Sequence, residues 1–166
     1  MKLTKHTVLF SALCLGLGIS QSLLAGDFDY YQSTKSVPIT TTDFSNTTNL
    51  GKVTVTCPEA GYLVAAGSAG ILLTPKAGDT LGVVQGGISI TLDNTAPYAA
   101  DPNHYNSIVF NVTTHNSAIP SFIQRVDACT AGQTVNYRLV GWHEYAGDGS
   151  YAFQPRLVVQ FFNNRI

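Results

Sequence analysis

The sequence predicts an all-β fold, a two-sheet antiparallel β-sandwich with 8–10 strands. Three observations carry that expectation. No segment sustains an apolar period of 3.6 residues, whereas period-2 alternation recurs along the chain. Clusters of Gly, Pro, Asp and Asn interrupt the alternating runs at short intervals. Charge is sparse, with Asp, Glu, Lys and Arg making up 11% of residues, and Thr, Ser, Asn, Gln and Gly supply the polarity instead.

Taken in order, Val53, Val55 and Cys57 alternate with Thr54 and Thr56, a half-buried strand stopped by Pro58. Tyr62 to Ala66 forms the next strand, Gly67-Ser-Ala-Gly70 a break, and Ile71 to Thr74 a further strand. In the stretch from Thr80 to Leu92, Gly86-Gly87 can take the positive φ angles of a two-residue hairpin turn. That turn sets Val83 opposite Ile90 and Leu81 opposite Leu92 on one face. Asp93 to Asn106, rich in Asp, Asn, Pro and Tyr, is a long surface loop. Ser107 to Thr113 and Phe122 to Val126 follow as strands. In the next, Gln133 to Trp142, Val135, Tyr137 and Leu139 share one side. Tyr145 to Ser150 is a turn cluster, and Arg156 to Phe162 closes the chain with Leu157, Val159 and Phe161 inward.

Residues 1–25 set the compartment. Lys2 and Lys5 precede an apolar run from Val8 to Ile19, and Ala25 stands before a polar start, the pattern of a secretory signal peptide. The run is shorter than the roughly 20 apolar residues needed to span a bilayer. The organisation expected is a signal peptide over 1–25, a loose polar arm over 26–36 and a single sandwich domain over 37–166, in a secreted, periplasmic or cell-surface protein. Cleavage removes Lys2 and Lys5 and no acid, leaving seven basic and ten acidic side chains. The basic residues are scattered singly, so the electrostatic footprint of a nucleic-acid binder is missing. Cys14 leaves with the signal, and the remaining pair, Cys57 and Cys129, is most simply one disulfide in an oxidising compartment. Two buried free thiols are the alternative.

Three stretches carry a family resemblance: Val53-Thr-Val-Thr-Cys-Pro-Glu-Ala-Gly-Tyr-Leu-Val64, Cys129-Thr-Ala-Gly-Gln-Thr-Val-Asn-Tyr-Arg-Leu139 and Pro155-Arg-Leu-Val-Val-Gln-Phe-Phe162. Together they resemble small exported bacterial jelly-roll proteins of the complement-globular-head and tumour-necrosis-factor type. The resemblance covers about a third of the mature chain. It implies a ten-strand jelly roll, often a trimer, acting as a binding or adhesive head with no shared catalytic residues. The Gly-x-y stalk of many members is lacking here, which puts stalk-driven trimerisation in doubt.

No catalytic signature is complete. His143-Glu144 begins an H-E-x-x-H pattern, but its fifth position is Gly147. Ala66-Gly-Ser-Ala-Gly70 lacks the first glycine of a nucleophile elbow. His104, His115 and His143 lie on separate segments without ligand spacing, and no metal is assigned to them. Asp101-Pro-Asn103 and Asp148-Gly-Ser150 offer oxygens suited to calcium, yet Asp, Asn and Gly are ordinary turn formers, so no cofactor is assigned. Asn46-Thr-Thr and Asn111-Val-Thr match glycosylation sequons that a bacterial producer leaves idle.

The sharpest functional clue is aromatic. Trp142, His143, Tyr145 and Tyr151 cluster around one Gly-rich turn and form the candidate binding set, since rings on loops stack on sugars or anchor protein partners. The function expected is a non-catalytic binding or adhesion module for a glycan or protein, self-associating as a trimer. The rival is a structural subunit of a surface layer, matrix or fibre. An exposed apolar strip along the arm or the terminal strand would favour that rival.

Overall fold

A computed structural model describes residues 28–40, 43–75, 77–78, 83–111, 118–144, 146–147 and 149–163. The signal peptide expected over 1–25 lies outside them. Among the described residues nine strands occur, in the order β1 (Phe28–Gln32), β2 (Val37–Pro38), β3 (Thr48–Thr56), β4 (Gly61–Leu72), β5 (Val83–Thr91), β6 (Tyr105–Asn111), β7 (Ile119–Cys129), β8 (Thr134–Glu144) and β9 (Tyr151–Asn163). They form two antiparallel sheets, β1-β9-β4-β7 with β2 also on β9, and β3-β8-β5-β6. From β3 onward the chain crosses between sheets at every connection except β5–β6, which is the wrap of a jelly roll. No helix occurs among the described residues.

The period-2 pattern decides which side chains meet between the sheets. Val53, Val55, Leu63, Ala65, Val84, Ile88, Ile90, Tyr137, Leu139, Leu157 and Val159 are all buried there. Each large aliphatic so buried contributes roughly 1.5–3 kcal/mol. Cys57 and Cys129 are bonded as a disulfide, tying the end of β3 to the end of β7 across a separation of 72 residues.

Three local expectations are corrected. Gly86-Gly87 is not a hairpin turn, because β5 runs straight through it, pairing with β6 on one side and β8 on the other. Here the missing Cβ permits close approach. A Cβ on Gly87 would stand 1.9 Å from the Asn106 carbonyl oxygen, and one on Gly86 would stand 2.7 Å from that of Trp142. Nor is Gly67–Gly70 a break. β4 continues through it because Ala65, Gly67 and Ala69 alternate onto the core face, where a Cβ on Gly67 would meet Leu139 Cδ1 at 2.7 Å. Finally, the arm is not loose over Phe28–Gln32, which is a full strand in register with β9 from Phe28↔Gln160 to Gln32↔Arg156. It is held partly by Tyr31, whose ring fills the space a side chain at Gly51 would need.

Candidate functional site

The two outer faces of the sandwich differ, and the difference decides where function can reside. On the four-stranded sheet, Arg138, Val140 and Trp142 of β8 point away from the core, and chain outside the strands covers them. Residues 92–104, between β5 and β6, lie over this face together with residues 43–47. Ala100 N–H donates to the Phe44 carbonyl (2.9 Å), and Thr47 N–H donates to that of Tyr98 (2.8 Å). Phe44 packs edge-on against Trp142 (centroids 5.2 Å apart) and Tyr105 (5.4 Å). Trp142, Val140 and Ala100 thereby form a second apolar cluster outside the main core.

The candidate aromatic set therefore does not form one open loop surface. Trp142 is a strand residue only 2% exposed. His143, also 2% exposed, sits next to it on the opposite, core face, with Nε2 3.1 Å from the Ile39 carbonyl oxygen. Tyr145 lies outside the described residues. Tyr151 opens β9, half-buried, with its ring 6.2 Å from that of Phe153. Strand β8 runs on to Glu144, past the strand end expected at Trp142. The covering of its outer face comes from segments about 40 and 100 residues away in sequence, which β8 alone does not announce.

A polar network sits where β7 meets the covering loop. Arg125 is buried and donates to Asp127 from Nε (2.7 Å) and Nη2 (3.0 Å), while Nη1 reaches Asp101 and the Ile90 carbonyl (3.3 Å). Tyr137 donates its hydroxyl to Asp127 (2.9 Å). His104 Nδ1 lies 3.2 Å from Asp101. Burial and the Asp127 carboxylate raise the Tyr137 hydroxyl well above its ordinary value. For Asp101, burial pushes upward, but the Asn103 N–H, His104 and the Arg125 charge together hold its carboxyl below the usual range. Arg125 is raised, because Asp127 and Asp101 outweigh the desolvation that would lower it.

This network uses residues that the sequence offered as ligands or bases. Asp101 is committed to Arg125 rather than free for calcium, and His143 is turned into the core. His115 and Asp148 lie outside the described residues. Among the described residues, no three His, Cys, Asp or Glu side chains group closely enough to hold a metal ion.

A pH dependence follows from Asp101. A carboxyl lowered on folding contributes stability that is fully present above its unfolded value, about 4. That contribution is lost as pH falls through the lower folded value. Asp101→Asn is expected to flatten the acid limb of the stability curve, measured by urea unfolding at neutral pH and near pH 3. An unchanged limb would show that the Arg125 contact contributes no linkage.

Among the described residues, nothing covers the outer face of the five-stranded sheet. On it Tyr30, Val158, Ala66 and Gln124 run in one cross-strand row, and Gln32, Arg156, Ser68 and Phe122 in the next. Phe122 is 68% exposed, and Tyr30, Tyr62, Val126, Val158 and Phe162 all show more than two fifths of their surface. Shallow hollows on both sides of Phe122 are lined by Ala66, Gln124, Ser68 and Pro120. Arg156 is the only charged residue in these rows. This face was not anticipated. On β7, the apolar residues Phe122 and Val126 face out, while Arg125 and Asp127 face in.

Among solved structures the chain is similar to that of the infectious bursal disease virus Gx strain, at 12% identity and a TM-score of 0.42, covering 92% of this chain and 39% of that one. It is also similar to the Eiger TNF of S. frugiperda (13%, TM-score 0.37, 84% and 96%). A third likeness is to dimeric latent PorU of Porphyromonas gingivalis (14%, TM-score 0.37, 86% and 13%). The chain thus spans about two fifths of the viral chain and about an eighth of PorU. With all three TM-scores below 0.5, these likenesses bear on neither function nor partners. No protein-family model matches the chain, and no curated protein does. The class that strand order itself defines is a disulfide-bonded jelly-roll sandwich, with no membership of the complement-globular-head family shown.

Proposed function

We propose that this protein is an exported, non-catalytic association module whose five-stranded sheet packs against a second copy of the chain, closing a small oligomer such as a trimer. The carrying observation is the asymmetry between the two outer faces. One is sealed by a layer of the chain's own loops; the other leaves at least six large apolar side chains in water. A contiguous exposed apolar patch of that kind marks an interaction surface. A second copy suits it because the face is almost uncharged, so that like meets like without repulsion. The disulfide fits an oxidising compartment, secreted, periplasmic or cell-surface.

The second reading, a structural subunit of a layer or fibre, is favoured by the same strip: Phe28 and Tyr30 on the arm and Val158 and Phe162 on the terminal strand are exposed. Closure separates the two, since a heterologous contact that does not close grows without limit. Light scattering across a concentration series should give one small, fixed oligomer. Phe122→Asp with Tyr30→Asp should convert it to monomer, while folding stability moves by no more than about 0.5 kcal/mol per site. Open-ended growth would transfer the case to the structural subunit. A wild-type chain monomeric at every concentration would overturn self-association.

A further inference from the structure

On the covered side of the sandwich, the geometry points to a binding site for a carboxylate at Arg138 and Lys52, a site separate from the association face. Arg138 is only 8% exposed. Its guanidinium lies over the Tyr98 ring, 4.1 Å from the centroid. Among the described residues that stacking is its one side-chain interaction: no carboxylate pairs with it, and Nε is buried without a hydrogen-bond partner. Arg125 shows the contrast, since it is equally buried but holds two aspartates.

Strand register adds a second cation. Lys52 on β3 is directly opposite Arg138, so both side chains leave the same face of the sheet, and among the described residues Lys52 has no ion pair. Like charges directly opposite each other on neighbouring strands are destabilising, and a buried charge without a counter-ion costs more. The acid of the covering loop that follows Thr91 most closely does not relieve this. Asp93 accepts from the Thr95 and Ala99 N–H groups with its two oxygens. On the other side of Arg138, the partner on β5 is Thr91, whose hydroxyl accepts from Asp93 N–H.

Two adjacent cations without an anion, one of them with its Nε–H edge unused, match the two oxygens of a carboxylate. A guanidinium presents parallel N–H donors to that group, and Lys52 supplies a point charge beside it. The ligand class is a small carboxylate, as an organic acid or an acidic sugar presents. Tyr98 holds the guanidinium plane in place.

The test is a titration of the intact, disulfide-bonded protein with sodium acetate and with sodium glucuronate, following backbone amide shifts at constant ionic strength in chloride. Saturable shifts centred on Lys52, Thr91, Tyr98 and Arg138 are expected with both salts. Tighter binding of glucuronate would identify the acidic sugar as the better ligand; equal affinities would leave the simple carboxylate. Lys52→Met, at an exposed position that leaves folding intact, should weaken binding by about three- to fivefold. Arg138→Met should abolish it. Glucose at the same concentration should do nothing. Linear, non-saturating shifts, shifts centred elsewhere, or affinity unchanged in Lys52→Met would overturn the site, whether or not Arg138→Met folds.

Discussion

Arg125→Ala is expected to cost about 3–5 kcal/mol of folding stability, the range for breaking a buried ion pair by removing one partner. The cause is what the substitution strands. Asp127 would lose two guanidinium bonds and Asp101 its counter-charge, both at the junction of β7 with the covering loop. Tyr137 would still donate to Asp127 but could not neutralise it. Chemical denaturation at neutral pH gives the loss directly. A triple variant, Arg125→Met with Asp101→Asn and Asp127→Asn, should recover much of it, because the penalty belongs to unpaired charge and not to lost volume. A loss below about 1 kcal/mol for Arg125→Ala would show that the network is solvated in solution.

The second large effect is expected from the disulfide. Replacing Cys57 and Cys129 together by Ser should lower stability by about 2–5 kcal/mol. The closed loop, with a separation of 72 residues, contributes roughly 4 kcal/mol in the chain-entropy view. It spans β4, β5, β6 and β7, which divide between the two sheets, so its opening frees elements that must otherwise find each other over long distances. Equilibrium unfolding of the double variant against the wild type, with and without reductant, measures the effect. Reductant should bring the wild type down to the level of the variant and leave the variant unchanged. A wild type indifferent to reductant would refute the contribution.

Much of the scaffold was legible in the sequence, and what escaped shares one cause. Val53–Cys57, Val135–Leu139 and Leu157–Phe161 alternate so regularly that strand and face follow from the residues alone, and each inward side chain is buried. The cysteine pair followed from parity and compartment. Gly86-Gly87 failed because a glycine pair has two physical uses, a positive-φ turn and close backbone approach, and only the neighbouring strands reveal which applies. Trp142 failed because burial on an outer face depends on Phe44 and on residues 92–104, which are distant in sequence. Phe122–Val126 was legible as a strand, but which of its faces is buried was not. Arg125 and Asp127 face inward because they find each other and Asp101, leaving Phe122 and Val126 in solvent. Of the candidate set, Trp142 and His143 are covered on β8, while large apolar side chains stand exposed together on β1, β4, β7 and β9.

The place of β9 in its sheet has a consequence for how the molecule is made. It lies between β1 and β4 and also takes β2. During synthesis, β1, β2 and β4 emerge long before their shared partner, so the five-stranded sheet cannot close until Tyr151–Asn163 is free to insert between them. Until then β1 and β4 present unpaired edges, the state in which strands pair with other chains. Assembly by late insertion of a central strand is a non-local and therefore slow event. A nascent chain stalled before Tyr151 would need holding apart from its neighbours, whereas one released whole could complete the sheet in a single step.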